Sequence, residues 1–254
     1  MKALIVGLVV LLFTSAGFFT GMMLRWKLPD HHVSTDARDT VKLGIGLIAT
    51  ITALVLGLVT ASAKSSFDDL NLTVKQSAAE VLMLDRTLAR YGPETKEVRD
   101  ELRQTVARRL RITWPESWAQ SSVLDDMDVM RSSEGLFDKI RHLSPQNDDQ
   151  RWLKAKALDL YESLLSARWV VVSGTASSIP RPFLTILIFW LSVTFGCFGL
   201  LAPRNATVIA VLLVCALSVG GAMFLILELD SPFDGVIRIS PEPLRYAYAR
   251  LDQD

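Results

Sequence analysis

LGIGLIATITALVLGLVTASA, residues 43–63, is the stretch whose reading decides the fold. It contains no Asp, Glu, Lys or Arg, and about 20 such residues in an α-helix cross the roughly 30 Å of hydrocarbon in a bilayer. Three more uncharged apolar stretches match it in length: Ala3–Leu24, Phe183–Ala202 and Ala206–Leu227. They stand two and two around Lys64–Arg181, which is rich in charge and helix formers. The layout predicts an all-α membrane protein with four transmembrane helices and an extramembrane helical bundle continuous with the second span. Its expected parts are a first hairpin (residues 1–63), the bundle (64–181), a second hairpin (182–229) and an interfacial C-terminal tail (230–254).

Downstream of Ala63 no proline interrupts the chain until Pro93, so the second span is expected to run on as one long helix. Phe67, Leu70, Val74, Ser77, Val81, Leu84, Leu88 and Tyr91 alternate three and four apart, the spacing of helices packed along their length. Gly92-Pro93 ends that helix. Glu94–Thr113 reads as a second bundle helix, broken at Trp114-Pro115, and Glu116–His142 as a third. Pro145 suits the first turn of a fourth, whose seam is Leu153, Ala157, Leu160, Leu164, Ala167 and Val171. Upstream, Arg25–Lys42 is a polar link. The first span is too long for a signal-peptide core and reads as a retained helix; Gly17 and Gly21 form a G-x-x-x-G packing face on it. Pro203-Arg204-Asn205 is a tight turn that makes the last two spans a hairpin.

Half of the residues are hydrophobic, and 27 basic side chains balance 27 acidic ones. That balance gives no electrostatic case for a nucleic-acid partner. Cys197 and Cys215 lie inside different apolar stretches, as small hydrophobes rather than a disulfide framework. No Walker loop, G-x-S-x-G, H-E-x-x-H or C-x-x-C occurs, so no enzymatic activity and no cofactor are expected. Basic residues flanking the spans slightly favour a cytoplasmic middle domain and cytoplasmic termini.

The second span carries small or hydroxylated residues at Ala49, Thr50, Ala53, Gly57, Thr60 and Ala61. Such a stripe either admits a neighbouring helix backbone or lines a pore, as do the hydroxyls of Ser62, Ser192, Thr194 and Ser218. Mid-span ionisable groups, the usual mark of pumps and coupled transporters, are missing; a passive path needs none. After the fourth span, Glu228, Asp230 and Asp234 with Ser231 offer oxygen ligands to a hard cation such as Ca²⁺; the plainer reading is a charged helix end. His31-His32, with Asp30 and Asp36, read as a solvated loop rather than a transition-metal site, since adjacent histidines rarely converge.

Leu56-Gly57 with Ala61 running into Lys64-Ser-Ser-Phe67, Glu80, Leu84–Leu88 ahead of Gly92-Pro93, and Ile179-Pro180 form one set of marks. Glu228-Leu-Asp-Ser-Pro-Phe-Asp-Gly235 followed by Ile239-Ser-Pro-Glu-Pro243 forms another. Together they resemble the bacterial bestrophin-like domain family, four-pass membrane proteins distantly similar to the pentameric bestrophin anion channels. The resemblance implies a homo-oligomer in the lipid bilayer, channel-like, with an inorganic ion as substrate. Phe18-Phe19 and Phe67 do not reproduce the closely spaced phenylalanines of a bestrophin neck, so anion selectivity is not implied. The alternative reading is a non-conducting membrane scaffold or sensor whose helical domain binds a partner protein.

Overall fold

The computed structural model describes residues 2–27, 35–114, 135–174, 179, 181–203 and 205–251. In chain order the helices are α1 (Lys2–Lys27), α2 (Thr35–Tyr91), a 3-10 turn (Pro93–Thr95), α3 (Lys96–Thr113), α4 (135–141), α5 (Asp148–Gly174), α6 (Arg181–Leu201), α7 (Ala206–Leu229) and α8 (Glu242–Arg250). Among the described residues there is no strand, and four helices (α1, α2, α6 and α7) are long and apolar enough to cross a membrane. Two compact units emerge: Met1–Phe67 with Ser177–Arg238, and Asp68–Ala176 with Ile239–Asp254. The long-helix expectation holds, since α2 is unbroken over 57 residues and supplies both units.

In the first unit, α1 packs on α6 and α7 through glycines. A Cβ added to Gly17 would stand 2.5 Å from the Ser192 carbonyl oxygen. One on Gly21 would overlap Gly196 O, and one on Gly199 would overlap Phe18 O. The G-x-x-x-G of α1 is thus met by a glycine pair on α6, which brings the two backbones into contact. Further along, Gly7 and Gly220 pair α1 with α7 in the same way, each Cβ position 3.1 Å from the other's carbonyl oxygen. Two apolar clusters fill the remaining space: Phe18, Phe195 and Ala216, and Val10, Val59, Ala63, Leu187, Leu191, Met223 and Ile226. Outside them Leu4, Leu8, Leu54, Leu58, Phe189 and Leu217 are all more than half exposed. In water such a surface would drive aggregation; in hydrocarbon it is the solvated face. Asn205 caps α7, its side chain accepting from Thr207 N at 3.0 Å.

The second unit is built on the α2 seam. Leu70, Val74, Ser77, Val81, Leu84, Leu88 and Tyr91 are all buried, with Phe67 half-buried. Gly92 then takes φ +144, a backbone open to glycine alone. Thr95 locks the turn, its hydroxyl donating to Leu88 O at 2.6 Å or Gly92 O at 2.8 Å. This turn takes up the residues just after Pro93, so α3 starts at Lys96 rather than Glu94. On α5, Ala157, Leu160, Leu164 and Val171 are buried as the seam requires. That helix starts three residues after Pro145, because Asn147 caps it: its Oδ1 accepts from Gln150 N at 2.7 Å. Most of the third expected helix lies outside the described residues; its end is α4, with Leu136 and Ile140 fully buried. From Ile239 onward the chain packs within this unit. Leu244, Ala247 and Leu251 are buried, α8 lies on α3, and Trp114 Nε1 donates to Ile239 O at 2.8 Å.

Candidate functional site

Within the first unit α2 buries Ile45, Thr52, Val59 and Ala63 against its own chain. These positions are spaced by seven or four and fall on one face at about 100° per residue. The candidate stripe runs from the flank of that face, at Ala49, Ala53 and Thr60, round to the opposite side of the helix at Thr50, Gly57 and Ala61. Thr50, Ala53, Gly57, Thr60 and Ala61 are exposed in the protomer and Ala49 is half-buried. A Cβ on Gly57 would meet nothing within 4 Å, in contrast to Gly17, Gly21 and Gly199. Among the described residues, packing inside one chain leaves the stripe from Thr50 to Ala61 exposed. Ala49 borders an apolar groove of about 540 Å³, walled by Ile45 and Gly46 of α2, Phe198 of α6, and Val211 and Leu212 of α7.

Five of the candidate hydroxyls in the spans bond within their own helices. Thr50 donates to Gly46 O at 2.8 Å, Thr60 to Leu56 O at 2.7 Å, Ser192 to Ile188 O at 2.7 Å, Thr194 to Trp190 O at 2.9 Å and Ser218 to Val214 O at 2.9 Å. Each donor is thereby satisfied inside the membrane, and the remaining oxygen lone pairs of exposed Thr50 and Thr60 face outward from the protomer.

At the end of α7, Glu228 is 3% exposed. Its Oε2 accepts from the backbone N–H of Val236 at 2.5 Å and of Ile237 at 3.2 Å. Gly235, at φ +99, makes the approach possible: a Cβ there would collide with the same carboxylate. Glu228 therefore folds the Leu229–Ile237 segment back onto its helix. Asp230 closes the helix, its N–H donating to Ile226 O at 3.1 Å, and Asp234 N donates to Ser231 O at 3.2 Å. Among the described residues no three or more His, Cys, Asp or Glu side chains are grouped to hold a metal ion. His31, His32 and Asp30 lie outside the described residues, as does the side chain of Asp36.

Two polar links in the second unit join α2 to α3 and α5. Asp85 on α2 and Arg99 on α3 form a buried pair, Oδ1 to Nε 2.8 Å and Oδ2 to Nη2 3.3 Å. Ser163 on α5 donates to Glu80 Oε1 on α2 at 2.7 Å. At the surface Lys139 lies 2.6 Å from Glu97 and 2.8 Å from Glu101. Hydrogen bonding to these carboxylates raises the lysine's pKa, and Lys139 holds Glu97 below the usual carboxylate range.

The family model for the bestrophin-like domain matches residues 12–244, nearly the whole chain from α1 into α8. The chain belongs to the bestrophin-like family. Among solved structures, a bacterial bestrophin homolog from Klebsiella pneumoniae, solved as a mutant, shares the fold. The match has a TM-score of 0.57 at 16% sequence identity and covers 99% of each chain. None of the curated proteins searched matches it. For this bestrophin-like chain, the Glu228–Gly235 segment has a physical reason for its residues: an acid, a glycine of positive φ and a loop length that let one carboxylate collect two backbone donors. The phenylalanines divide. Phe18 is 1% exposed in the α1 core, whereas Phe67 is half-buried with Lys64 Nζ 5.9 Å from its ring centroid.

Proposed function

We propose that this bestrophin-like protein assembles as a homo-oligomer in the bacterial inner membrane, around α2, and provides a passive path for an inorganic ion. The observation that carries the reading is the uncovered stripe of Ala53, Gly57, Thr60 and Ala61 on the helix whose other side buries Ile45, Thr52, Val59 and Ala63. Small side chains and outward hydroxyl oxygens suit either a wet lumen or a close-packed copy of α2, and a ring of copies supplies both. The spans place no ionisable group at mid-membrane, as a channel permits and a coupled transporter does not. The Asp68–Ala176 bundle then stands in the cytoplasm with both termini.

The test is the mass of the purified protein in lipid nanodiscs, followed by liposome flux of chloride and of cations. A ring of four or more subunits with flux supports the path, and a monomer or dimer sinks it. Gly57→Leu and Ala53→Leu separate the two uses of the stripe: a lining position loses flux with the ring intact, a packing position loses the ring. A ring with no flux for any ion moves the assignment to the scaffold reading, with the cytoplasmic bundle as the partner-binding part.

A further inference from the structure

A small cavity in the second unit, among α2, α3 and α5, is walled by Val81, Leu102, Leu164 and Tyr161 and faced by two arginines, Arg109 and Arg168. Its volume is about 60 Å³. We propose that this cavity binds a small oxyanion, a phosphate or a carboxylate, as the missing counter-charge to Arg109.

No acidic side chain lines the cavity. Among the described residues, no hydrogen bond or ion pair engages the Arg109 guanidinium, and the charge acting on it is that of Arg168, a like charge. Arg168 keeps contacts of its own, so the unmet charge is that of Arg109. The same unit shows what a buried guanidinium ordinarily receives: Arg99, one turn from the start of α3, has Asp85. Arg109 is half-buried, and a charge partly withdrawn from water beside a like charge gains from a counter-charge. Burial and Arg168 push the Arg109 pKa down to about 10, which still leaves it charged at neutral pH. A guanidinium fork matches an oxyanion with two parallel N–H bonds. The volume sets the size class: it is far below the roughly 300 Å³ at which drug-sized ligand pockets begin, and it suits one phosphate or carboxylate group rather than a nucleotide. The inference does not depend on whether the protein conducts.

The experiment uses the full chain in nanodiscs. Equilibrium dialysis with labelled inorganic phosphate, and separately with labelled succinate, is run against potassium chloride at matched ionic strength, with thermal unfolding read by tryptophan fluorescence. Saturable binding of one anion per chain is expected, with a melting temperature that rises as the site fills. Arg109→Gln weakens binding at least about tenfold, as loss of a charged hydrogen-bonding partner does, and in chloride it melts at or above the wild-type temperature because the like-charge pair is gone. Arg168→Gln, measured alongside, also weakens binding. Phosphate binding alone assigns a phosphoryl ligand and succinate alone a carboxylate. Absence of saturable binding for both, or wild-type affinity in Arg109→Gln, overturns the site.

Discussion

Replacing Asp85 removes one half of a bidentate pair that water hardly reaches: the Asp85 side chain is 2% exposed and that of Arg99 10%. The guanidinium then stays behind without its carboxylate. Breaking a buried pair in this way costs about 3–5 kcal/mol, because one charge is left uncompensated. Asp85→Asn keeps one acceptor oxygen for Arg99 and belongs at the lower end; Asp85→Ala belongs at the upper. Pulse proteolysis of the full chain in nanodiscs across a urea series reads the change. With a urea slope of about 1–3 kcal/mol/M, the Asp85→Ala midpoint falls by more than about 1 M. The double variant Asp85→Leu/Arg99→Leu removes both charges, and apolar replacement of a buried pair is often close to neutral. It is expected within about 1.5 kcal/mol of wild type, as apolar swaps of similar volume usually are. A cost below about 1 kcal/mol for Asp85→Ala would mean the pair contributes no more than an exposed surface one. A double variant as damaged as the sum of the singles would falsify the account, since it would mean the side chains act through packing and not charge.

Gly21→Leu should prevent α1 from closing on α6, since even a Cβ at that position overlaps Gly196 O; cysteine cross-linking between the two helices should be lost, while Gly46→Leu, where an added Cβ meets nothing within 4 Å, should leave it intact. Glu228→Gln should loosen Leu229–Ile237 by about 1–3 kcal/mol, the scale of a buried acceptor losing its charge, and hydrogen exchange at the Val236 and Ile237 amides should speed up at least about fivefold. Glu97 has a folded pKa below its ordinary 4.5. Its contribution to stability is therefore present above that value and is lost as pH falls through the lower folded value; a titration of melting temperature should show an acid-side loss that Lys139→Met abolishes, and the effect should shrink in high salt because the pair is exposed.

Hydropathy and periodicity made most of this architecture legible before any coordinates. The α2 seam from Leu70 to Tyr91 could be read from three-four spacing because burial along a packed helix leaves that period in the sequence. Gly17 and Gly21 were legible for a similar reason, since only glycine lets two helix backbones touch. Glu228 was legible as a residue of interest but not as a cap, because its partners are backbone N–H groups eight and nine residues on, and a backbone donor has no letter in the sequence. Asp85 and Arg99 were unreadable as a pair: 14 positions separate them, and only the turn at Gly92–Thr95 makes them neighbours. The start of α5 was misplaced because proline and asparagine compete as helix-start signals, and the Asn147 side-chain bond decided it.

The continuity of α2 has a further consequence for what lengths this chain tolerates. Each residue turns the helix by about 100°, so the seam positions from Leu70 to Tyr91, all buried in one unit, hold a fixed angular phase. One residue inserted near Lys75 would swing every later side chain by that angle relative to Leu70 and Val74 and put Met83 and Thr87 where Leu84 and Leu88 now sit. Seven inserted residues would restore the phase to within about 20°. Length changes within this seam are thus confined to whole heptads, and homologues should differ between Leu70 and Tyr91 by such steps or by none.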